Sequence, residues 1–331
     1  MLFTALFALT AAASALAAPF ANYTRCGNAI SSDELRAVEA QFAVDSAAAL
    51  ANDESRIPIT FPQRRTVHVV WHVIQDTNGE GAISDDGVKQ SISAMNKHYS
   101  GSTFNFILDK IDRTTNSNWF KSATSGSSLQ TAMKKALHTG DAKVLNVYTV
   151  GFKSSSLLGY ATWPWDYSKN PVDDGVVILY SSIPGGSTPN FNEGKTLTHE
   201  VGHWLGVYHV FDDLQRSCDD TDYVADTPAQ MTATNGCPTS KDSCPTKPGL
   251  DSIHNYMDYS YDPCMNAFTP GQIERMKTQS RTYRGIQGTI WFPSLTLPPP
   301  TFPTLITAIH PTLNPVPTPI PGPIPGPVPF P

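Results

Sequence analysis

Eleven residues, from His199 through Glu200, His203 and Gly206 to His209, hold three imidazoles and a carboxylate at spacings that suit metal-assisted hydrolysis. On a helix, His199 and His203 stand one turn apart and project from the same face, so both can bind one ion. Gly206 can leave the right-handed region without a steric cost, and a chain turned there returns His209 to the same point. Three nitrogens leave one tetrahedral position open for water, and Glu200 beside them can take its proton. With all residue types equally frequent, HExxH alone arises in about one chain in twenty-five of this length, but the full pattern in about one in ten thousand.

The flanking residues must put this segment on a helix that lines a cleft. Leu197, Val201, Trp204, Leu205 and Tyr208 form one apolar face, opposite the two helical histidines. Upstream, Thr66–Ile74 is rich in β-branched residues and reads as a buried strand, Ser84–Tyr99 as a helix and Thr103–Leu108 as a strand. A helix over Leu129–His138 and strands over Val144–Val150, 158–163 and Val176–Tyr180 follow, with a closing helix over Gln272–Tyr283 whose basic later turns suit its dipole. Alternating strands and helices predict an α/β domain with a twisted, mostly parallel sheet. His68, His72, His98, His138, His254 and His310 are scattered and read as structural.

The ends differ in character. Phe3–Ala13 is apolar and too short to span a bilayer, and Ala15-Leu16-Ala17 follows as a cleavage pattern, so residues 1–17 read as a signal peptide of a secreted protein. Asn22-Tyr23-Thr24 is then a glycosylation acceptor. From 289 to 331 the chain is proline-dense, favours polyproline II and cannot build a packed core. A net charge of −6 leaves no basic footprint for nucleic acid, and no later apolar run is long enough for a membrane span. The 331 residues, 40 % hydrophobic, suffice for one large domain with tails.

In an oxidising compartment five cysteines carry information. Cys218, Cys237, Cys244 and Cys264 follow the histidine helix and allow three disulfide pairings, or a second metal site; Cys26 stands alone far upstream. Its thiolate is a strong zinc ligand that would fit an open coordination position; an incidental thiol or an intermolecular disulfide is the other reading. Asp219, Asp220, Asp222 and Asp226 cluster in a turn-like stretch as hard oxygen donors, suited to calcium or to solvent.

The chain resembles the metzincin metalloproteases, whose HExxHxxGxxH pattern it matches at every fixed position. THEVGHWLGVYHVF, YVADTP and NYMDYSYDPCMNAFTPGQIERM are similar to the pappalysin-like branch, in particular its secreted fungal extracellular metalloproteases, over about residues 65 to 285. The resemblance implies a zinc endopeptidase with a five-stranded sheet, spanning residues 61–288 and ending in a loop-rich, disulfide-stapled subdomain. It implies a Met-turn over 255–259, with Met257 as a floor beneath the histidines and Tyr259 near the metal to stabilise the oxyanion. It implies the pairings Cys218–Cys244 and Cys237–Cys264, and calcium at Asp222 and Asp226. Cys26 looks like a cysteine switch, which makes residues 18–60 a propeptide cut near Arg56 or Arg64-Arg65. The strand at 158–163 matches the antiparallel edge strand that pairs with extended protein substrates. A monomer is expected, and a non-catalytic secreted zinc-binding adhesin or antigen is the alternative.

Overall fold

The computed structural model describes residues 23–51, 63–214, 217–219 and 222–290. The leader, Asn22, Arg56, Asp220, His310 and the proline-rich tail lie outside the described residues. Short strand β1 (Thr24–Cys26) and helix α1 (Ser32–Ala51) precede β2 (Gln63–Gln75), α2 (Asp85–His98), β3 (Phe104–Thr115), α3 (Ser117–Ser122) and α4 (Ser128–Leu137). There follow β4 (Val144–Val150), β5 (Leu157–Ala161), β6 (Val176–Leu179), α5 (Lys195–Trp204), α6 (Pro270–Arg284) and β7 (Thr289–Ile290).

The strands form one sheet in the order β1-β5-β6-β4-β2-β3, with β7 paired to the start of β2. The five expected strands are all present, and all their pairings are parallel except β5 with β6. Seven strands stand where five were expected, because β1 and β7, of three and two residues, are too short to carry a periodic signal. β3 runs to Thr115, past the expected Leu108, because its second half is a polar edge strand that resembles a loop in composition.

Alternation along β2 explains the layers. Val67, Val69, Trp71 and Val73 face a core shared with Val88, Ile92 and Met95 of α2 and with Leu197, Val201 and Trp204 of α5. On the other face, Ile74 joins Tyr148, Val150, Phe120 and Met133 beneath α3 and α4. His72, on this second face, is fully buried, bonds Asn146 at 3.0 Å and stacks on Tyr148. His68 is exposed beside Asp109, and His98 and His254 bond Thr198 and the Cys264 carbonyl, each at 2.7 Å.

Between α5 and α6 the described backbone is almost all loop, held by the disulfides Cys218–Cys244 and Cys237–Cys264. α6 opens at Pro270, with Thr269 as N-cap and Gln272 completing a capping box, and ends at Gly285 in the left-handed region. Its basic residues do more than face a dipole. Arg284 is buried, stacks 3.6 Å from the Trp204 ring and bonds the Trp204 carbonyl at 2.9 Å. Its two terminal nitrogens meet Asp174 at 2.9 and 3.0 Å, and Asp174 also accepts from the Trp204 indole at 2.9 Å. The C-terminal end of the histidine helix is thereby fastened to the sheet.

Candidate active site

α5 exposes no residue to solvent: Leu197, Val201 and Trp204 enter the core, and His199, Glu200 and His203 are as fully buried on its other side. The helix stops at Leu205, and Gly206, at φ +90°, turns the chain so that His209 returns beside the other two. The three Nε2 atoms lie 3.2, 3.2 and 3.1 Å apart. Ligands at zinc–nitrogen distance on a tetrahedron stand about 3.3 Å from one another, so this donor set fits such an ion without rearrangement. Each opposite nitrogen has its own acceptor: His199 Nδ1 donates to the Tyr256 carbonyl at 2.7 Å, His203 Nδ1 to the Val207 carbonyl at 2.8 Å, and His209 Nδ1 meets Asp213. These bonds put the proton on Nδ1 and aim the Nε2 lone pairs inward. Burial and the neighbouring imidazoles hold the His199 and His203 pKa values well below the usual range, which keeps both rings neutral and ready to ligate.

Met257 lies fully buried under this group, against Gly202, where an added β-carbon would stand 2.4 Å from its sulfur. The Met257 side chain in this position therefore favours a glycine in the helix above it. Tyr259 is placed with its ring centroid 5.8 Å from His199 and 5.0 Å from His209, and its hydroxyl donates to the Cys26 carbonyl at 3.1 Å.

Cys26 is brought to the same point from the far end of the sequence. Its Sγ, with the ligand nitrogens of His199, His203 and His209, forms the group of mutually close metal-binding atoms found among the described residues, all within 4.8 Å of one another. The thiol donates to Glu200 Oε2 at 3.2 Å. Burial, and then the Glu200 carboxylate, push the Cys26 thiol well above its usual pKa; burial likewise raises that of Glu200.

The strand that carries Cys26 occupies the sheet edge expected to take substrate. β1 pairs parallel to β5, Thr24 opposite Leu157 and Cys26 opposite Gly159, and Gly27 N–H donates to the Gly159 carbonyl at 2.9 Å. Asn28 completes the pairing by bonding both the carbonyl and the N–H of Ala161 with its side-chain amide, at 3.0 and 2.9 Å. Arg25, 1 % exposed, reaches into a pocket where its guanidinium donates to the Ser260 carbonyl at 2.7 Å and Asp262 Oδ1 at 2.8 Å, 4.9 Å from the Phe191 ring. Asp262 Oδ2 accepts from the Glu193 N–H at 2.9 Å, just before α5, so one carboxylate serves both the helix start and the upstream arginine.

This geometry has counterparts in known proteins. The family model for pregnancy-associated plasma protein-A, peptidase M43, matches residues 132–280. An extracellular metalloprotease of Arthroderma benhamiae is 49 % identical over 225 residues, 66 % of this chain and 79 % of that protein. The chain belongs to the M43 metalloprotease family. Another extracellular metalloprotease, of Pyricularia oryzae, is 42 % identical over 288 residues, covering 85 % of this chain and 96 % of that one. Among solved structures, a mutant promirolysin of Tannerella forsythia superimposes with a TM-score of 0.64 at 28 % identity, covering 79 % of this chain and 95 % of its own. Mature mirolysin in complex with a cleaved peptide gives 0.56 at 30 % identity, covering 67 % and 96 %. The protease thus has the mirolysin-like metzincin fold. Among the described residues no helix is long and apolar enough to cross a membrane.

Asp222 and Asp226, expected to share calcium, are not brought together with a third carboxylate among the described residues of the protease. Asp222 accepts from Val224 N–H and the Thr227 hydroxyl, at 3.0 and 2.7 Å, and Asp226 from the Thr269 hydroxyl and Gly271 N–H, at 2.7 and 2.8 Å. Both carboxylates pin loops, and Asp226 steadies the start of α6. Arg64 and Arg65, read as a cleavage site, are already inside β2, Arg64 opposite Thr289 and Arg65 opposite Phe104.

Asp213 joins the site without a motif to mark it; its one local signal is its place four residues after His209, within reach of that ring. It also accepts from Ile30 N–H at 3.2 Å, so it touches both His209 and the upstream segment. Asp213→Ala should lower metal affinity by about 10- to 100-fold, the usual cost of removing a carboxylate that orients a ligating histidine. Competition with a chromophoric chelator would measure it, and an unchanged affinity would rule out the orienting role.

Proposed function

We propose that this protease is a secreted zinc endopeptidase made as a latent precursor. Zinc is held by His199, His203 and His209; residues 1–17 direct export, and 18–60 form the propeptide of a catalytic domain spanning 61–288. One observation carries the reading: Cys26 reaches from β1 to within bonding distance of the general base, in the midst of three imidazoles arranged for one ion. A latent form also agrees with the likeness to promirolysin.

Bound zinc would supply a Lewis acid that makes water acidic and polarises the peptide carbonyl. Glu200 takes a proton from the attacking water and returns it to the leaving amine. Tyr259 keeps its hydroxyl where it now meets the Cys26 carbonyl, and donates to the oxyanion as it develops. The outer edge of β5 binds an extended substrate through main-chain hydrogen bonds, whatever its side chains. In the precursor those bonds are taken by β1, and the thiol stands where water would be needed. The activating cut falls ahead of β2, because a cut at Arg64-Arg65 would require part of that strand to unpair.

The test is cleavage of denatured casein by the chain after removal of residues before 61. Cleavage should be abolished by 1,10-phenanthroline and restored by zinc. One equivalent of bound zinc with no cleavage would favour the non-catalytic zinc protein instead.

The arginine pocket bears on substrate choice. With β1 gone, Asp262 is a buried carboxylate facing a space shaped for a guanidinium, beside the Phe191 ring. A substrate with Arg or Lys at that subsite restores the pair, so basic residues should be preferred. Asp262→Asn should reduce kcat/KM for such peptides by about 10- to 100-fold, the worth of a charge-assisted hydrogen bond, with a far smaller change for peptides bearing Leu there. Equal losses on both substrates would mean that Asp262 only supports the fold.

A further inference from the structure

Besides the pairing of β1 with β5, the segment ahead of β2 meets the rest of the chain at a second place, where α1 packs on α6. α1 lies along α6 and, of its twenty residues, only Leu35 is buried. Beside it is a groove of about 420 Å³ between Val38 and Gln41 on one side and Trp165 and Tyr283 on the other. Apolar packing of this helix is confined to a small cluster in which Leu35 and Val38 meet Ile30, Trp165, Tyr208 and Tyr283. One carboxylate is also held: Glu39 receives both terminal nitrogens of Arg275, at 2.6 and 3.1 Å, and the Tyr208 hydroxyl at 2.8 Å. The Arg275 and Glu39 side chains are 6 % and 12 % exposed, and the guanidinium lies 4.6 Å from the Tyr208 ring and 5.6 Å from Phe42. Arg275 is fixed from behind by the Gly206 carbonyl at 2.8 Å, so the receptor half is held by the same turn that returns His209. Further along both helices, Asp45 accepts from the Tyr283 hydroxyl at 3.2 Å. Leu35, Glu39, Phe42 and Asp45 lie on one face of α1, so the recognised chemistry is a helix that presents two carboxylates beside two apolar side chains.

We propose that Arg275, Tyr208 and Tyr283 form a helix-docking site that keeps residues 23–51 bound after the chain is cut, independently of Cys26. The site's occupant is the severed propeptide, and the proposal rests on reading residues 18–60 as one. Cutting the chain then does not by itself bare the active site; the helix must also leave. A bidentate arginine–carboxylate pair removed from water acts on the rate of leaving more than on the rate of arrival.

The test uses the full chain carrying Glu200→Ala, so that no fragment is lost to self-digestion, with a cleavage site for a sequence-specific viral protease placed within residues 52–62. After cutting, retention of the fragment is followed by gel filtration and mass spectrometry. The fragment should co-elute with the rest of the chain, in the Cys26→Ser background as well. Glu39→Gln, which leaves the catalytic domain untouched, should speed its release about 30-fold or more in both backgrounds. Release altered less than tenfold by Glu39→Gln would overturn the proposal. So would immediate loss of the fragment from Cys26→Ser with Glu39 intact. The readout is retention, so it is separate from the casein assay, which alone decides whether the processed chain is a protease.

Discussion

Glu200→Ala in the processed enzyme should lower kcat by about 10²- to 10⁴-fold, the range for loss of a positioned general base, while one equivalent of zinc stays bound. The two halves of this expectation have separate grounds. Metal retention follows from geometry, because the three Nε2 atoms already meet at the ligand spacing without Glu200, whose carboxylate is directed at Cys26. Loss of turnover follows from chemistry, because the carboxylate is buried with one oxygen bonded to the thiol that must leave and the other without a hydrogen-bond partner in the structure. Glu200→Gln keeps the shape and removes the base, so it should be nearly as inactive as the alanine variant. Single-turnover rates with metal content by atomic emission would decide the matter. A glutamine variant with more than a tenth of wild-type kcat would assign the proton transfer elsewhere.

Arg284→Ala should destabilise the full chain by about 3–5 kcal/mol, the cost of stranding one partner of a buried ion pair. Asp174 and Arg284 are each 1 % exposed, and the arginine alone closes three contacts: the carboxylate, the Trp204 ring and the last carbonyl of α5. Burial acts most strongly and raises the Asp174 pKa, but the Arg284 charge and hydrogen bond, together with the bonds from Trp204 and Thr162, outweigh it and the net shift is downward. A depressed carboxylate contributes stability that is present above its unfolded pKa, near 4, and is lost as the pH falls through the folded value. The deficit of Arg284→Ala should accordingly be full at pH 7 and shrink in strong acid. Urea midpoints at both pH values would measure it, and a deficit below 1 kcal/mol at pH 7 would show that the cluster contributes little net stability.

What the sequence makes legible here is what lies close along the chain. The histidine pattern, its apolar face and the turn at Gly206 sit within a dozen residues, so one helix and one bend reproduce their geometry. The strands β2, β4 and β6 are apolar enough to be seen in isolation. Arg25 and Asp262 are 237 positions apart, and nothing local in either marks a partner. α1 has strong helix formers but almost no apolar stripe, so its segment reads as polar filler until Arg275 is seen to hold Glu39. Arg284 looks like any basic residue near a helix end, and only the packing of Trp204 against it shows it to be interior. The edge of β5 was expected to be open for substrate; it is taken because a segment with no strand signature of its own borrows its hydrogen bonds from β5.

The direction of that borrowed strand has a consequence for durability. β1 runs parallel to β5, with Thr24 opposite Leu157 and Cys26 opposite Gly159. A guest strand entering this edge in the opposite sense would present each of its amides end for end relative to the cover. If substrates are read in that sense, the protein's own cover is threaded backwards through its blade, and short peptides copied from Arg25-Cys26-Gly27-Asn28 should outlast those written in reverse order.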